Sequence, residues 1–169
     1  MYEPLTSMIQ KDIYQVFLMG CPATMPLSFA VHPWFVINKK GIVSRFGIGR
    51  YNTEESGKFF GEHSCEECSG RLHKNAKPPF EGLEIFPSMH QHHWKGAIIG
   101  MVEGGVGSVA ERMVEYIEQS ISSYPHRDRY SLFGPNSNTY VQWVLNSFPE
   151  SNIELPWNAF GKGKIQKPI

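Results

Sequence analysis

Residues 29–48 read FAVHPWFVINKKGIVSRFGI and give the clearest indication of the fold class. It contains two runs of β-branched and aromatic residues, Phe29–Asn38 and Ile42–Ile48, separated by the polar residues Lys39, Lys40 and Gly41. Two such runs joined by a short polar turn predict a β-hairpin. Because Pro33 cannot donate to a strand ladder, we expect the first arm to be an edge strand or to begin after the proline.

The residues before this hairpin predict a further strand. Asp12–Met19 is rich in residues that favour strands, and Gly20, Cys21 and Pro22 follow it as turn formers. With the hairpin, this strand predicts a small antiparallel sheet.

The second half of the chain contains two helical patterns. In Ser108–Tyr124 apolar residues recur at every fourth position, and Ser108 with Glu111 matches a capping box. Asn138–Phe148 carries an apolar face and ends before Pro149. We expect Trp143 and Trp157 to pack in the core or to form the wall of a site, as large aromatic side chains usually do.

These elements predict an α+β fold in which a small antiparallel sheet packs on two or three helices. The 169 residues suit a single domain, residues 1–169, because no linker or repeat divides the chain. Residues 51–87 lose all periodicity, and we expect an irregular segment of the kind that forms lids or mobile insertions.

Charge and composition narrow the possible functions. Sixteen basic residues balance sixteen acidic ones, so the chain lacks the overall positive charge of a nucleic-acid-binding domain. We expect no membrane span, because no apolar run is long enough, and no leader is visible at residues 1–6. Three cysteines form no disulfide framework, which favours the cytoplasm, and nothing in the sequence indicates a cofactor.

The most informative polar stretch is GPNSNTY at residues 134–140, which begins the second predicted helix. Asn136, Ser137 and Asn138 could simply cap the helix, because their side-chain oxygens accept hydrogen bonds from its free amides. The alternative is a site, since exposed amides and the positive end of a helix dipole stabilise an anion or a developing oxyanion. In that case Ser137 is the candidate nucleophile.

A serine hydroxyl is a poor nucleophile unless a base takes its proton, and His32 is the favoured partner. This histidine interrupts an otherwise apolar strand, where a polar ring is expected to have a structural or functional role. A histidine on a strand is nevertheless often a structural residue whose ring nitrogens have hydrogen-bond partners within the protein. We expect Asn136, Asn138 and Trp34 to line the site.

Two other clusters contain possible metal ligands. His63, Cys65, Cys68 and His73 have a plausible spacing for zinc, but a single Cys-x-x-Cys without a second matching half is also compatible with a solvated loop. Residues 90–94, HQHHW, contain three imidazoles without a nearby carboxylate or cysteine, and a polar approach to the next segment is the favoured interpretation. We therefore expect no metal site, and the zinc alternative stays open.

Several strings together resemble a family catalogued as domain of unknown function 3750. They are His32-x-Trp34, Gly96, Ser123-Tyr124-Pro125, GPNSNT at 134–139 and LPxxAxGK at 155–162, in the same order. The string Asn136-Ser137-Asn138 with a histidine on an earlier strand also resembles circularly permuted papain-like proteins, which include deubiquitinase-like and lecithin–retinol-acyltransferase-like enzymes. That resemblance implies a permuted papain-like fold with His32 preceding the nucleophile, although serine stands here in place of cysteine.

Two functions follow as expectations. The first is a hydrolase or acyl transferase that acts on an amide or ester, with Ser137 as nucleophile and His32 as general base. The second is a binding module without turnover, in which Asn136, Asn138 and Trp34 contact a small polar or anionic ligand. A peptide ligand fits either function, and a role in binding a protein partner through residues 51–87 stays open.

Overall fold

The computed structural model describes residues 3–49, 67–88 and 91–164. Its helices are α1 (Glu3–Thr6), α2 (Val109–Ser123) and α3 (Ser137–Asn146), followed by a 3-10 turn at Pro149–Ser151. The strands are β1 (Tyr14–Pro22), β2 (Val31–Lys39), β3 (Ile42–Ile48), β4 (Glu67–Ser69), β5 (Leu72–Lys74), β6 (Glu81–Glu84), β7 (His93–Lys95) and β8 (Ala97–Gly104). The predicted α+β class is confirmed, whereas the papain-like permutation stays a prediction.

A six-stranded antiparallel sheet, in the order β4-β5-β3-β2-β1-β8, forms the centre of the fold. Strands β6 and β7 pair separately as a two-stranded sheet. The predicted hairpin is β2 and β3, and its turn contains Lys40 and Gly41, both with positive φ. Gly41 accepts that conformation at little cost because it has no Cβ.

Strand β1 extends further than its sequence indicates. Residues 20–22, expected as a turn, remain paired with β2, and Cys21 lies opposite His32. The glycine has a packing role: a Cβ at Gly20 would lie 2.5 Å from Cδ1 of Ile99 on β8. Gly20 therefore marks a close approach of a neighbouring side chain and not a chain reversal.

The expectation for Pro33 is only partly correct. Strand β2 lies inside the sheet and begins at Val31, before the proline, but β3 pairs with it only from Phe35 onward. The main-chain N–H and C=O groups of Val31 bond to groups outside the sheet. Because residues two apart in a strand present these groups to the same side, the nitrogen of Pro33 faces that open side, where no ladder bond is lost.

Both long helices pack on one face of the sheet and build the larger core. Met113, Val114 and Ile117 of α2 are buried there with Tyr140 and Val144 of α3. Ser108 caps α2 by accepting a hydrogen bond from the amide of Glu111, as predicted, while the Glu111 carboxylate bonds the amide of Gly107. Helix α3 ends at Asn146, two residues before its expected end at Phe148.

The opposite face carries a smaller core of aromatic and sulfur-containing side chains. Phe17, Met19, Cys21 and Val36 pack there around the fully buried Trp34. Arg45 lies over the Trp34 ring, with 4.3 Å between the guanidinium carbon and the ring centroid.

The middle of the chain differs from its expected structure in two places. Residues 67–87 were expected to be irregular but contain β4, β5 and β6. Strand β8 was not foreseen, because Gly100 and Gly104 interrupt its pattern of apolar residues. Residues 50–66, which carry most of the expected irregular segment, lie outside the described residues.

Two further observations concern the surface. Trp143 packs against the larger core as expected, but Trp157 is 83% exposed and belongs to no core. None of the helices in the described part of the chain is both long and apolar enough to cross a membrane.

Candidate functional site

The structure brings Ser137 and His32 together across 105 residues of sequence. Oγ of Ser137 lies 3.1 Å from Nδ1 of His32, within hydrogen-bond distance. Ser137 is the first residue of α3 and is buried, and His32 is the second residue of β2 and half-buried. When Nδ1 carries no proton, the serine hydroxyl donates to it, which is the arrangement that a nucleophile and its base require.

The open side of β2 positions this pair. Nδ2 of Asn138, the residue after Ser137, donates to the main-chain oxygen of Val31, the residue before His32, at 3.3 Å. The amide of Val31 donates to the main-chain oxygen of Asn158. The helix start and the segment around Asn158 thus occupy the place beside Val31 that β3 leaves vacant, and Ser137 is thereby held against His32.

Asn136 is the N-cap of α3. Its Oδ1 accepts hydrogen bonds from the amides of Asn138 and Thr139, and its own amide donates to Oγ1 of Thr139, which completes a reciprocal capping box. Its Nδ2 donates to the main-chain oxygens of Leu132 and Phe160. Both polar atoms of this side chain are therefore engaged inside the protein, and the structure gives Asn136 the capping role.

The strings GPNSNT at 134–139 and LPxxAxGK at 155–162 are hydrogen-bonded to each other. Within GPNSNT, Nδ2 of Asn138 donates to the main-chain oxygen of Phe160 at 2.9 Å, and Oγ1 of Thr139 donates to that of Gly161 at 2.8 Å. Phe160 and Gly161 belong to LPxxAxGK. The side chain of Ser137 is the one in Asn136–Thr139 that turns instead toward His32.

Close backbone contact explains the glycines in both strings. Gly134 and Gly161 have φ of +96° and +94°, which side chains rarely adopt. A Cβ on Gly161 would lie 2.7 Å from Nδ2 of Asn136, inside the cap itself. A Cβ on Gly134 would lie 3.1 Å from Cα of Gly161. The main chain at these glycines is thus part of the site, which the sequence did not indicate.

The expected use of several helix-start amides for an oxyanion needs correction. The amides of Asn138 and Thr139 donate to Asn136, and the amide of Tyr140 donates to the main-chain oxygen of Asn136. Among the described contacts, the amide of Ser137 itself is the one in this first turn with no internal acceptor. One main-chain donor and the positive end of the helix dipole therefore remain for a developing negative charge.

Burial controls the charge of His32. The pKa of His32 is lowered to about 3, chiefly because the packed protein around the ring removes water, and to a smaller extent because of the positive charges of Arg45 and Lys77, which Glu84 opposes. The imidazole is therefore neutral at pH 7 and able to accept a proton. The influence of Arg45 is not predicted from the sequence: the predicted hairpin puts residues 32 and 45 on paired strands, but it does not indicate which side chains affect the ring.

Trp34 lies next to His32 but is more deeply buried. The centroids of the two rings are 6.1 Å apart, but Trp34 is completely buried and its Nε1 donates to the main-chain oxygen of Pro79 at 2.8 Å. In this position Trp34 supports the histidine, and its expected contact with a ligand stays a prediction.

Asn138 has an unusual second feature. Its side chain is only 4% exposed, and Oδ1 is buried without a hydrogen-bond partner among the described residues. Since Nδ2 faces two main-chain oxygens, exchanging the two side-chain atoms would place oxygen against oxygen, and the assignment of the free acceptor is secure. A buried acceptor without a donor is costly, so its presence beside Ser137 adds to the case for a functional site.

Within the described residues, no group of three or more histidine, cysteine, aspartate or glutamate side chains is placed to hold a metal. His63, Cys65 and His90 lie outside those residues, as does the side chain of Cys68. The zinc alternative therefore stays a prediction.

Comparisons with known proteins identify one similarity. No curated protein and no solved structure matches the chain. The family model that does match covers residues 80–163, which include β8, both long helices and the two strings around Ser137. Its description is "Protein of unknown function (DUF3750)". Residues 80–163 of this chain therefore belong to the DUF3750 family, as the strings in its sequence predict.

Proposed function

We propose that this protein is a serine-dependent hydrolase or acyl transferase that acts on an amide or an ester. The observation that carries the proposal is the 3.1 Å contact between Oγ of Ser137 and Nδ1 of His32 at the start of a buried helix. The permuted papain-like proteins that the chain resembles also combine a nucleophile at a helix start with a histidine from an earlier strand.

The proposed reaction begins with attack of Ser137 Oγ on the substrate carbonyl carbon. The hydroxyl proton passes to Nδ1 of His32, and the carbonyl oxygen becomes an oxyanion near the amide of Ser137. Collapse of this intermediate breaks the bond to the amine or alcohol, which leaves with the proton from His32. The acyl group then remains on Ser137 until water or a second acceptor removes it.

The surroundings of His32 favour a slow reaction. The low pKa keeps the ring unprotonated at pH 7, but it also makes the ring a weak base. Among the described residues no carboxylate forms a hydrogen bond with this ring to stabilise the imidazolium that the reaction creates. We therefore expect acylation to be easier to detect than rapid turnover.

The test is covalent labelling with a fluorophosphonate, which reacts with an activated serine, followed by mass spectrometry of the modified peptide. We expect one label on Ser137, no label on the Ser137→Ala variant, and at least tenfold slower labelling of His32→Gln. Ser122→Ala is the matched control, because Ser122 is an exposed serine on α2. Labelling that is unchanged in Ser137→Ala would reject the proposal.

A binding module is the second candidate function. The observation that favours it is the engagement of the amides of Asn138 and Thr139 by Asn136, which leaves little of an oxyanion site. A thermal-shift screen with small carboxylates and phosphates tests this function, because a ligand that binds only the folded state raises its apparent stability. Stabilisation of both wild type and Ser137→Ala, without labelling of wild type, would favour binding over catalysis.

A further inference from the structure

Exposed apolar side chains surround one end of the sheet, the end that carries Ser137 and His32. We name this feature the apolar rim and define it as Phe29, Leu132, Phe133, Trp157 and Phe160. Trp157 is 83% exposed, Phe133 68% and Phe29 62%, and the other two exceed a third. Single exposed apolar residues are ordinary, whereas a cluster of this size marks an interaction surface.

The rim is continuous because its three turns are bonded to one another. The rings of Phe29 and Phe160 form an edge contact with 6.0 Å between centroids, and Nδ2 of Asn158 donates to the main-chain oxygen of Phe29. Nδ2 of Asn136 joins the main-chain oxygens of Leu132 and Phe160. The same side chains that position Ser137 thus hold the rim in place.

The charge of these segments has one sign. Residues 22–30, 131–136 and 155–164 contain no aspartate or glutamate, and their charged residues are Lys162 and Lys164. Lys162 donates to the main-chain oxygens of Leu155 and Pro156, which places its ammonium group within the segment that carries Trp157 and Phe160. Lys164 is exposed. Acidic residues are as frequent as basic ones in the whole chain, so their exclusion from these turns is a local property.

From this combination we infer that the apolar rim docks the protein on an anionic lipid bilayer. Tryptophan and phenylalanine side chains insert at the boundary between headgroups and acyl chains, and lysines beside them are attracted to anionic headgroups. The rim side chains project from three separate turns, and three of the five are more than 60% exposed, which suits a soft planar surface better than a fitted pocket. Docking in this way needs no membrane-spanning helix and places the Ser137–His32 pair at the membrane face.

The experiment is co-sedimentation of the whole protein with vesicles of phosphatidylcholine alone or mixed with phosphatidylglycerol. We expect binding to the mixed vesicles, little binding to phosphatidylcholine, and a loss of binding as salt is raised. The variant Phe29→Ser/Phe133→Ser/Trp157→Ser should bind the mixed vesicles at least tenfold more weakly. Lys164→Gln should lower the partition coefficient about fivefold, the effect of one basic residue near such a surface.

The matched control is Ile42→Ser/Val106→Ser. Both side chains are about as exposed as the rim, at 70% and 76%. Ile42 comes soon after the last residue of β2 and Val106 soon after the last residue of β8, and these two strand ends lie at the opposite end of the sheet from the rim. This control should bind vesicles like wild type. Thermal unfolding shows whether each variant is folded, and substitutions at exposed positions should change stability little.

Trp157 provides a second readout. Its fluorescence should shift to shorter wavelength when mixed vesicles are added. Trp157→Phe should remove most of that shift while still binding, since Trp34 is fully buried and Trp94 and Trp143 are half-buried. Equal binding of the rim variant and wild type, or no binding of wild type to either vesicle, would overturn the inference. Concentration-dependent self-association that the rim variant abolishes would overturn it in favour of a protein interface.

The inference does not rest on the proposed function. Vesicle binding is measured equally well with Ser137→Ala, which should bind like wild type. Docking of wild type without labelling of Ser137 would contradict only the proposed function, and labelling of Ser137 without docking would contradict only this inference.

Discussion

Nδ2 of Asn138 lies 3.3 Å from the main-chain oxygen of Val31, so two residues that flank the Ser137–His32 pair are bonded to each other. The same nitrogen lies 2.9 Å from the main-chain oxygen of Phe160. One amide group therefore connects helix α3, strand β2 and the segment at Phe160. The short distance between Oγ of Ser137 and Nδ1 of His32 depends on this connection.

Asn138→Ala should therefore weaken both the fold and the site. The substitution leaves the main-chain oxygen of Val31 without its side-chain donor and removes one of the two side-chain donors to that of Phe160, which costs about 1–3 kcal/mol in the free energy of unfolding. It should also slow fluorophosphonate labelling of Ser137 in protein that is still folded. Urea unfolding followed by circular dichroism measures the first effect, and mass spectrometry measures the second.

Asn146→Ala is the control for this variant. Asn146 is an exposed residue at the end of the same helix, and its side chain accepts a hydrogen bond only from Gln142 in the described structure. The free energy of unfolding of Asn146→Ala should stay within about 0.5 kcal/mol of that of wild type. A similar loss in the two variants would mean that Asn138 contributes no more than any helix residue.

Gly161→Ala and Gly163→Ala should differ sharply. At Gly161 the backbone has φ of +94° and a Cβ would lie 2.7 Å from the side chain of Asn136, whereas at Gly163 nothing lies within 4 Å of a Cβ. We expect Gly161→Ala to lower the free energy of unfolding by about 2 kcal/mol or more, through backbone strain and the displaced cap. Thermal unfolding measures both variants, and equal midpoints would refute the packing of the two strings.

The sequence predicted those parts of the fold that depend on local periodicity. The hairpin of β2 and β3 and the helices around Met113 and Val144 follow from apolar residues repeating at the strand or helix period. The sequence pattern is misleading at glycines whose role lies in packing. Gly20 and Gly100 each lie inside a strand, where a Cβ would press against Ile99 or Ile153 respectively. Such contacts join distant parts of the chain and leave no local signal.

The candidate site was predictable in part for the same reason. A run of polar residues at a helix start identified Ser137, and a polar residue in an apolar strand identified His32. Which amides Asn136 engages depends on the geometry of the cap, and the exposure of Trp157 depends on how its segment crosses the sheet end. Neither follows from residue order: the cap leaves one helix-start amide for an oxyanion, and the exposed Trp157 becomes part of the apolar rim.

Acidification should destabilise the protein through His32. Its pKa is about 3 in the folded protein and 6.5 in the unfolded chain, so between these values the unfolded state binds more protons. The stability that the neutral ring contributes is therefore fully present above pH 6.5 and is lost as pH falls toward 3, by up to about 1.4 kcal/mol per pH unit. Urea unfolding at a series of pH values measures this slope.

Two variants isolate the contribution of His32 to that slope. His32→Gln should have a shallower dependence of stability on pH than wild type, because glutamine does not titrate. His92→Gln removes an exposed histidine and should keep the slope of wild type. Identical slopes in wild type and His32→Gln would show that burial of this ring does not govern its protonation.

The pH dependence of labelling at Ser137 should follow the same group. Activation of the serine requires neutral His32, and a pKa near 3 keeps the ring neutral in mildly acidic solution. An ordinary histidine would lose about thirtyfold of its neutral form on going from about pH 8 to about pH 5. We expect the fluorophosphonate rate of folded wild-type protein to fall less than twofold over that range, and a midpoint near 6.5 would instead show that water reaches His32 when the reagent binds.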